Sequence, residues 1–86
     1  MIQREIVVAL KYGLHARPAC QLVALSMGFQ SDLAMVYKNT TIDLKDLMLV
    51  ACSNVNYGDK VFVQADGADE KEAMEKIEHL LLSEDI

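Results

Sequence analysis

Residues 13–19 read Gly13-Leu14-His15-Ala16-Arg17-Pro18-Ala19, and within them the pattern of the sequence changes from a strand to a helix. Before them, apolar and polar residues of 2–10 alternate, which is typical of a strand with one buried face. After them, apolar residues recur at helical spacing. Pro18 fits only the first turn of a helix, because proline lacks a backbone N–H and has a fixed φ. We therefore expect His15 at or just before the helix start, with Arg17 one or two residues inside.

The other elements follow from the spacing of apolar residues and from turn residues. We predict, in chain order, a first helix that ends at Gly28, a strand over 33–37, a turn at 38–40, a strand over 41–44, a helix over 47–53, a strand over 61–65 and a last helix from about residue 70. Asp69, with Glu72 three residues later, resembles the capping box of that last helix.

This order of elements, βαββαβα, predicts an α+β fold. With so few elements, the economical arrangement is one four-stranded antiparallel sheet with three helices on one face, an open-faced β-sandwich. The other face of the sheet is then open to water. A chain of 86 residues has room for one core, so we predict a single domain over residues 1–86.

The charge of the chain is unevenly distributed. Eight of the 13 acidic residues lie from Asp66 onward, against two lysines, whereas the rest of the chain is close to neutral. A nucleic-acid-binding protein would show a basic stripe, and the sequence has none, so we expect no nucleic-acid partner. One acidic face and one nearly neutral, apolar face favour a protein that docks to other proteins.

Membrane and metal functions are also disfavoured. The longest uninterrupted apolar stretch, residues 6–10, falls far short of the roughly 20 residues of a membrane span. The first residues do not resemble a secretion signal, so we expect a cytoplasmic protein without membrane insertion. Cys20 and Cys52 have neither C-x-x-C spacing nor clustered histidines, and we interpret them as reduced, small packing residues. We expect no metal site.

The chemistry of residues 13–19 points to an anion. Free N–H groups of a first helical turn and the helix dipole together attract negative charge. The neutral imidazole of histidine is the nucleophilic form, and His15 is the residue here that can act in this way. Once a phosphoryl group is attached, the amides of Ala16 and Arg17 and the Arg17 guanidinium can hold its oxygens. The alternative is that His15 is only a helix cap or a surface residue.

The same seven residues resemble the active-site signature of the HPr family of the bacterial phosphotransferase system. The similarity extends from Met1 to about Glu84. The resemblance implies that His15 takes a phosphoryl group at Nδ1 from phosphorylated enzyme I and passes it to enzyme IIA domains, while Arg17 steadies the phosphate. It further implies a stoichiometric carrier without a cofactor rather than an enzyme.

The resemblance also implies a docking surface on the short second helix, where Leu47 and Met48 match it. We expect Ala51 and Cys20 to flank that surface. Methionine suits such a role because it adapts to partners of different shape. We expect a monomer, because such a carrier visits several partners with one exposed face.

Asp46 departs from the family. In one branch of the family a serine at this position is phosphorylated by an ATP-dependent kinase. Asp46 is either an N-cap for the second helix or a permanent partial imitation of phosphoserine, and we favour the cap. Either way this position has no hydroxyl, so we predict that the serine switch is absent.

Three functions compete at this point. The first is a phosphocarrier in sugar uptake, or in a regulatory, nitrogen-type phosphorelay that shares the His15 chemistry. The second is a binding module that docks on a transcription regulator while His15 stays idle. The third is a small hydrolase with a Cys20–His15 pair, although the sequence shows neither an oxyanion hole nor a third orienting residue.

Overall fold

Seven elements follow one another in the predicted order within residues 1–83, which the computed structural model describes. They are β1 (Ile2–Val7), α1 (Ala16–Met27), β2 (Asp32–Tyr37), β3 (Thr40–Asp43), α2 (Leu47–Ala51), β4 (Lys60–Asp66) and α3 (Glu70–Leu81). Glu84 and Asp85, the last acidic residues of the chain, lie outside the described residues. The single domain over residues 1–86 therefore stays a prediction.

The four strands form one antiparallel sheet in the order β1-β4-β2-β3. In its middle row Met35 of β2 lies between Val63 of β4 and Ile42 of β3, and all three side chains are buried. Alternate residues of β4 point to the opposite face, where Lys60 is exposed. The predicted sheet, with one buried and one open face, is confirmed.

All three helices cover the buried face of the sheet. The core residues that they supply are Ala19, Leu22 and Val23 from α1, Val50 from α2, and Ala73, Met74, Ile77 and Leu81 from α3. Burying a side chain the size of leucine or methionine contributes about 1.5–3 kcal/mol, so packing of the helices on the sheet is a large source of stability. The last helix, predicted from about residue 70, is confirmed as α3.

The first strand is shorter than predicted and ends at Val7 rather than Leu10. Beyond it, the amide of Val8 donates to the carbonyl of Asp59 at 2.8 Å, and the amide of Ala9 donates to the carbonyl of Leu81 at 2.9 Å. The chain thus leaves the sheet ladder to fasten the ends of two other elements. Leu10 is nevertheless fully buried, so the alternation of buried and more exposed residues continues beyond the end of the strand.

The connection between β2 and β3 is a two-residue hairpin turn. Lys38 and Asn39 have φ values of 49° and 64°, the left-handed conformations of a turn that matches the twist of the flanking strands. This confirms the predicted turn at residues 38–40.

The predicted capping box at the start of α3 is wrong. Asp69 does not adopt the extended conformation of a capping residue, and its side chain makes no bond to the helix. Its carboxylate instead accepts hydrogen bonds from the backbone amides of Gln30 and Ser31 and from the Ser31 hydroxyl. The Ser31 hydroxyl is the main reason that the pKa of Asp69 lies below its usual range. Glu70, rather than Glu72, reaches back to a backbone amide, that of Gly67, at 3.2 Å.

Candidate functional site

His15 is the N-cap residue of α1, as predicted. Its backbone is extended, with φ −74° and ψ −176°, and its carbonyl accepts the first helical hydrogen bond from the Ala19 amide at 3.0 Å. The imidazole is exposed and makes no capping hydrogen bond. The ring is therefore accessible from solvent at the positive end of a 12-residue helix.

Two backbone amides are left open beside that ring. Counted from His15, Ala16, Arg17 and Pro18 are the first three residues of the helix, and Pro18 has no N–H to offer. The amides of Ala16 and Arg17 precede the first helical hydrogen bond and have no partner in the helix. The first turn contains no acidic residue that could neutralise them.

Arg17 supplies a positive charge at the same helix start. Its side chain is exposed and forms no ion pair with any residue of 1–83. A guanidinium with unused donors can bind two oxygens of a phosphoryl group at once. His15, Ala16 and Arg17 thus share the exposed start of α1, and their role in holding a phosphoryl group stays a prediction.

The backbone before His15 is fixed by contacts with the loop that contains Val55. The amide of Leu14 donates to the carbonyl of Val55 at 2.9 Å, and the Leu14 side chain is buried. Gly13 has φ +71°, and a Cβ on it would collide with the carbonyl oxygen of Val55 and lie 2.7 Å from the Cα of Asn56. Only glycine fits both the conformation and the space. His15 therefore projects from an anchored loop.

Tyr12 is a neighbour of His15 that the sequence analysis did not single out. The two ring centroids are 6.1 Å apart with an interplanar angle of 69°, an edge-to-face arrangement. The Lys11 ammonium lies 5.9 Å from the Tyr12 ring centroid. The sequence offered one hint, an aromatic residue in the turn that leads into the signature.

The start of α2 confirms the N-cap prediction for Asp46. One carboxylate oxygen of Asp46 accepts a hydrogen bond from the Leu49 amide at 3.2 Å. The helix ends at Ala51 rather than near Ser53, because the Ser53 amide bonds to the carbonyl of Val50, a tighter turn than the helix.

The residues predicted to dock partners are exposed. Leu47 and Met48 are 43% and 71% exposed, and Ala51 also faces solvent. Exposed apolar side chains of this size on a five-residue helix are typical of a contact surface. Their role in docking stays a prediction.

Both cysteines are exposed and free, so their interpretation as packing residues is wrong. Cys20 follows Ala19 and precedes Leu22, and the helical phase that buries those two side chains turns Cys20 outward. Cys52 is the C-cap of α2, beyond the buried Val50. Within residues 1–83 neither thiol forms a hydrogen bond with His15, so the pairing that a hydrolase needs is absent there.

Two further functions find no support in the part of the chain that the structure describes. No three histidine, cysteine or acidic side chains come together there in a way that could hold a metal ion. Among the same residues, no helix combines the length and the apolar character that a membrane span requires.

Comparisons with known proteins agree with this geometry. Residues 2–83 match the family model described as the PTS HPr component phosphorylation site. Among solved structures, the chain is similar to phosphocarrier protein HPr from Bacillus anthracis, at 28% identity and a TM-score of 0.90, covering 93% of this chain and 95% of that chain. HPr-C-His from Thermoanaerobacter tengcongensis is 30% identical over the full length of both chains, with a TM-score of 0.91.

A third similar structure is Crh, the catabolite repression HPr of Bacillus subtilis. It is 34% identical, covers 100% of this chain and 99% of that chain, and has a TM-score of 0.78. Its crystal structure shows a domain-swapped dimer.

Proposed function

The chain belongs to the HPr family of phosphotransferase-system phosphocarriers, and from that premise we propose that it carries its phosphoryl group on His15. It accepts the group from phosphorylated enzyme I and transfers it to enzyme IIA domains in sugar uptake. It works in the cytoplasm as a stoichiometric carrier and needs no cofactor. It is not an enzyme, because each molecule is itself phosphorylated by one partner and gives that one phosphoryl group to the next.

The observation that carries this proposal is the exposed imidazole at an uncapped helix start. The nitrogen lone pair attacks phosphorus in line while the bond from phosphorus to the donor breaks. The amides of Ala16 and Arg17 and the Arg17 guanidinium then stabilise the negative charge on the equatorial oxygens by hydrogen bonds. These donors are in place before the reaction, so little reorganisation is needed. The anchored backbone of Leu14 and the buried Pro18 hold the nucleophile on both sides.

The test is transfer of label from labelled phosphoenolpyruvate through enzyme I. We expect an acid-labile, base-stable label on the wild-type protein and none on His15→Ala. The chain offers a matched control, because its second histidine, His79, is exposed on α3. His79→Ala should be labelled like the wild type. A label that persists in His15→Ala, or that disappears in His79→Ala, would contradict the proposal.

A second candidate is a regulatory paralogue, which Asp46 favours. A carboxylate stands where one branch of the family has a phosphorylated serine, and the 34% identity to Crh is in keeping with a regulatory role. Rapid transfer onward to a sugar enzyme IIA domain supports the transport function. Transfer only to a nitrogen-type acceptor, or stable binding to a transcription regulator, supports the regulatory one. In either case the regulatory kinase should leave residue 46 unlabelled.

We place partner docking on the exposed side chains beside the site, namely Leu47, Met48, Ala51 and Cys20. α1 and α2 pack against each other, so this surface is continuous with the helix that begins after His15. We further propose a monomer in solution. A light-scattering mass of one chain supports this, and a mass of two chains, as in the Crh crystal structure, contradicts it.

A further inference from the structure

A hydrogen-bond network joins β2 to the loop between α2 and β4. The hydroxyl of Tyr37 donates to the carboxylate of Asp59, and the same carboxylate oxygen accepts from the Asn56 amide at 2.9 Å. The Tyr37 hydroxyl also lies 3.5 Å from the carbonyl oxygen of Asn54. Tyr37 is 7% exposed, so its hydroxyl reaches the loop from the edge of the core.

This network closes a loop that contains a residue in the left-handed conformation. Asn54 has φ +60°, and asparagine is one of the few residues besides glycine that adopt this conformation readily. The Asp59 amide donates back to the Asn56 carbonyl at 3.0 Å, which closes the turn on itself. The amide of Gly58 donates to the carbonyl of Val8 at 2.8 Å and ties the turn to the end of β1.

The same loop supports His15. The carbonyl of Val55 accepts the Leu14 amide at 2.9 Å, and the backbone at Val55 and Asn56 is the surface on which Gly13 rests. A continuous path therefore runs from the Asp59 carboxylate to the Asn56 amide, the Val55 carbonyl and the Leu14 amide. The next residue along the chain is His15.

We propose that Asp59 and Tyr37 are positioning residues for His15, since together they fix the Val55 carbonyl and through it the backbone from which the imidazole projects. This inference rests on the proposed function of His15. Neither residue touches the reacting atoms. Their effect is geometric, because transfer in line depends on a nucleophile held within a fraction of an ångström of its productive position.

The protonation states of Tyr37 and Asp59 favour a strong hydrogen bond between them. The Tyr37 hydroxyl is the main cause of a lowered pKa at Asp59, and Asp59 is the main cause of a raised pKa at Tyr37. At neutral pH the carboxylate is therefore ionised and the phenol protonated. A hydrogen bond to an ionised acceptor is about twice as strong as one between neutral groups.

The molecule contains a matched control for this network. Asp69 also accepts from backbone amides and from one hydroxyl, that of Ser31, but it joins the start of α3 to the loop before β2. Loss of that carboxylate removes a similar set of hydrogen bonds without touching residues 54–59. A purely structural role predicts that the two losses have the same consequence for transfer.

The experiment compares Asp59→Ala, Asp59→Asn, Tyr37→Phe and Asp69→Ala with the wild type. Three quantities are measured: the rate of transfer to His15 at saturating enzyme I, the enzyme I concentration that gives half that rate, and the hydrogen-exchange rate of the Leu14 amide. For Asp59→Ala we expect a maximal rate about tenfold lower, an unchanged half-saturating concentration and at least tenfold faster Leu14 exchange relative to the Ala19 amide.

The other variants define the cause. Asp59→Asn keeps an oxygen that accepts both hydrogen bonds, so it should recover most of the rate, and Tyr37→Phe should fall between the two. Asp69→Ala should transfer at the wild-type rate even where its stability is equally reduced. The proposal is overturned if Asp59→Ala transfers normally, if Asp69→Ala slows transfer as much, or if Asn restores nothing. If the wild type itself accepts no label, the proposed function of His15 has failed and this inference falls with it.

Discussion

The starts of α1 and α2 differ in what occupies them. Both helices follow an N-cap residue with extended backbone, His15 in one and Asp46 in the other. In α2 the cap carboxylate accepts the amide of the third helical residue, Leu49, at 3.2 Å. In α1 the third helical residue is Pro18, which has no amide hydrogen, and the cap side chain bonds to nothing in the helix.

This difference shows how one fold keeps one helix start closed and another open. In α2 the Asp46 carboxylate occupies the Leu49 amide and places a negative charge at the helix start, so an external anion is repelled there. α1 lacks a capping contribution of about 1 kcal/mol, and its first turn is available to a ligand instead. The burial of Leu14 and Pro18 on either side of His15 offsets that lack.

The largest expected effect comes from closing α1. In His15→Asn the side-chain oxygen can accept the Arg17 amide, so the open start acquires a cap like that of α2. We expect complete loss of label from phosphoenolpyruvate and enzyme I, together with unchanged or slightly increased stability in urea. A labelled His15→Asn protein would show that the acceptor lies elsewhere.

Removing the charge beside the open start should have the next largest effect. For Arg17→Ala we expect a maximal transfer rate about 10–100-fold lower, because a hydrogen bond to a charged group contributes about 1.5–3 kcal/mol. Arg17→Lys should be intermediate, since lysine keeps the charge but loses the two-pronged contact. Rapid-quench labelling measures the rates, with Lys76→Ala on α3 as the control. Equal rates for Arg17→Ala and the control would remove Arg17 from the site.

Opening α2 should affect stability and leave the chemistry alone. We expect Asp46→Ala to lower the free energy of unfolding by about 0.5–2 kcal/mol, measured in urea, with the maximal rate of label transfer unchanged. Asp46→Asn keeps an acceptor oxygen and separates the hydrogen bond from the charge. If Asn costs as much as Ala, the interaction of the charge with the helix dipole, rather than the cap bond, stabilises α2.

The smallest expected effect is on the pH dependence of stability, and it comes from the start of α3, which carries several carboxylates. The pKa of Glu70 is held below its usual 4.5, mainly by the Gly67 amide, and that of Asp69 below its usual 3.8, mainly by the Ser31 hydroxyl. Groups whose pKa is lower in the folded state stabilise it above the unfolded pKa, and this contribution is lost as the pH falls through the folded value.

Stability should therefore decline as the pH falls below about 4.5, and less steeply in Glu70→Gln and Asp69→Asn. α1 has no acid in its first turn, so Arg17→Ala should keep the acid dependence of the wild type. Urea unfolding at a series of pH values measures this. Identical slopes in Glu70→Gln, Asp69→Asn and the wild type would contradict the assignment.

The element order and the position of His15 could be predicted because they depend on local patterns. Apolar spacing predicted the strand over 61–65, whose Val61, Val63 and Ala65 are buried, and the restrictions on Pro18 located the start of α1. Asp46 as a cap also depends only on the next three residues, and it is confirmed.

The remaining features depend on partners far away in the sequence. The carboxylate of Asp69 turned to Ser31, 38 positions earlier, rather than to its own helix. The support of Leu14 by Val55 requires a loop that meets the signature only after the chain has folded. No local pattern encodes such contacts, because tertiary packing decides them.

The central claim is that the amides of Ala16 and Arg17 receive the phosphoryl oxygens. Amide nitrogen and proton shifts, recorded before and after phosphorylation by enzyme I, test it most directly. We expect the largest changes at Ala16 and Arg17, with the Leu49 amide, already bonded to Asp46, nearly unchanged. Unchanged Ala16 and Arg17 amides in a fully phosphorylated protein would contradict the account.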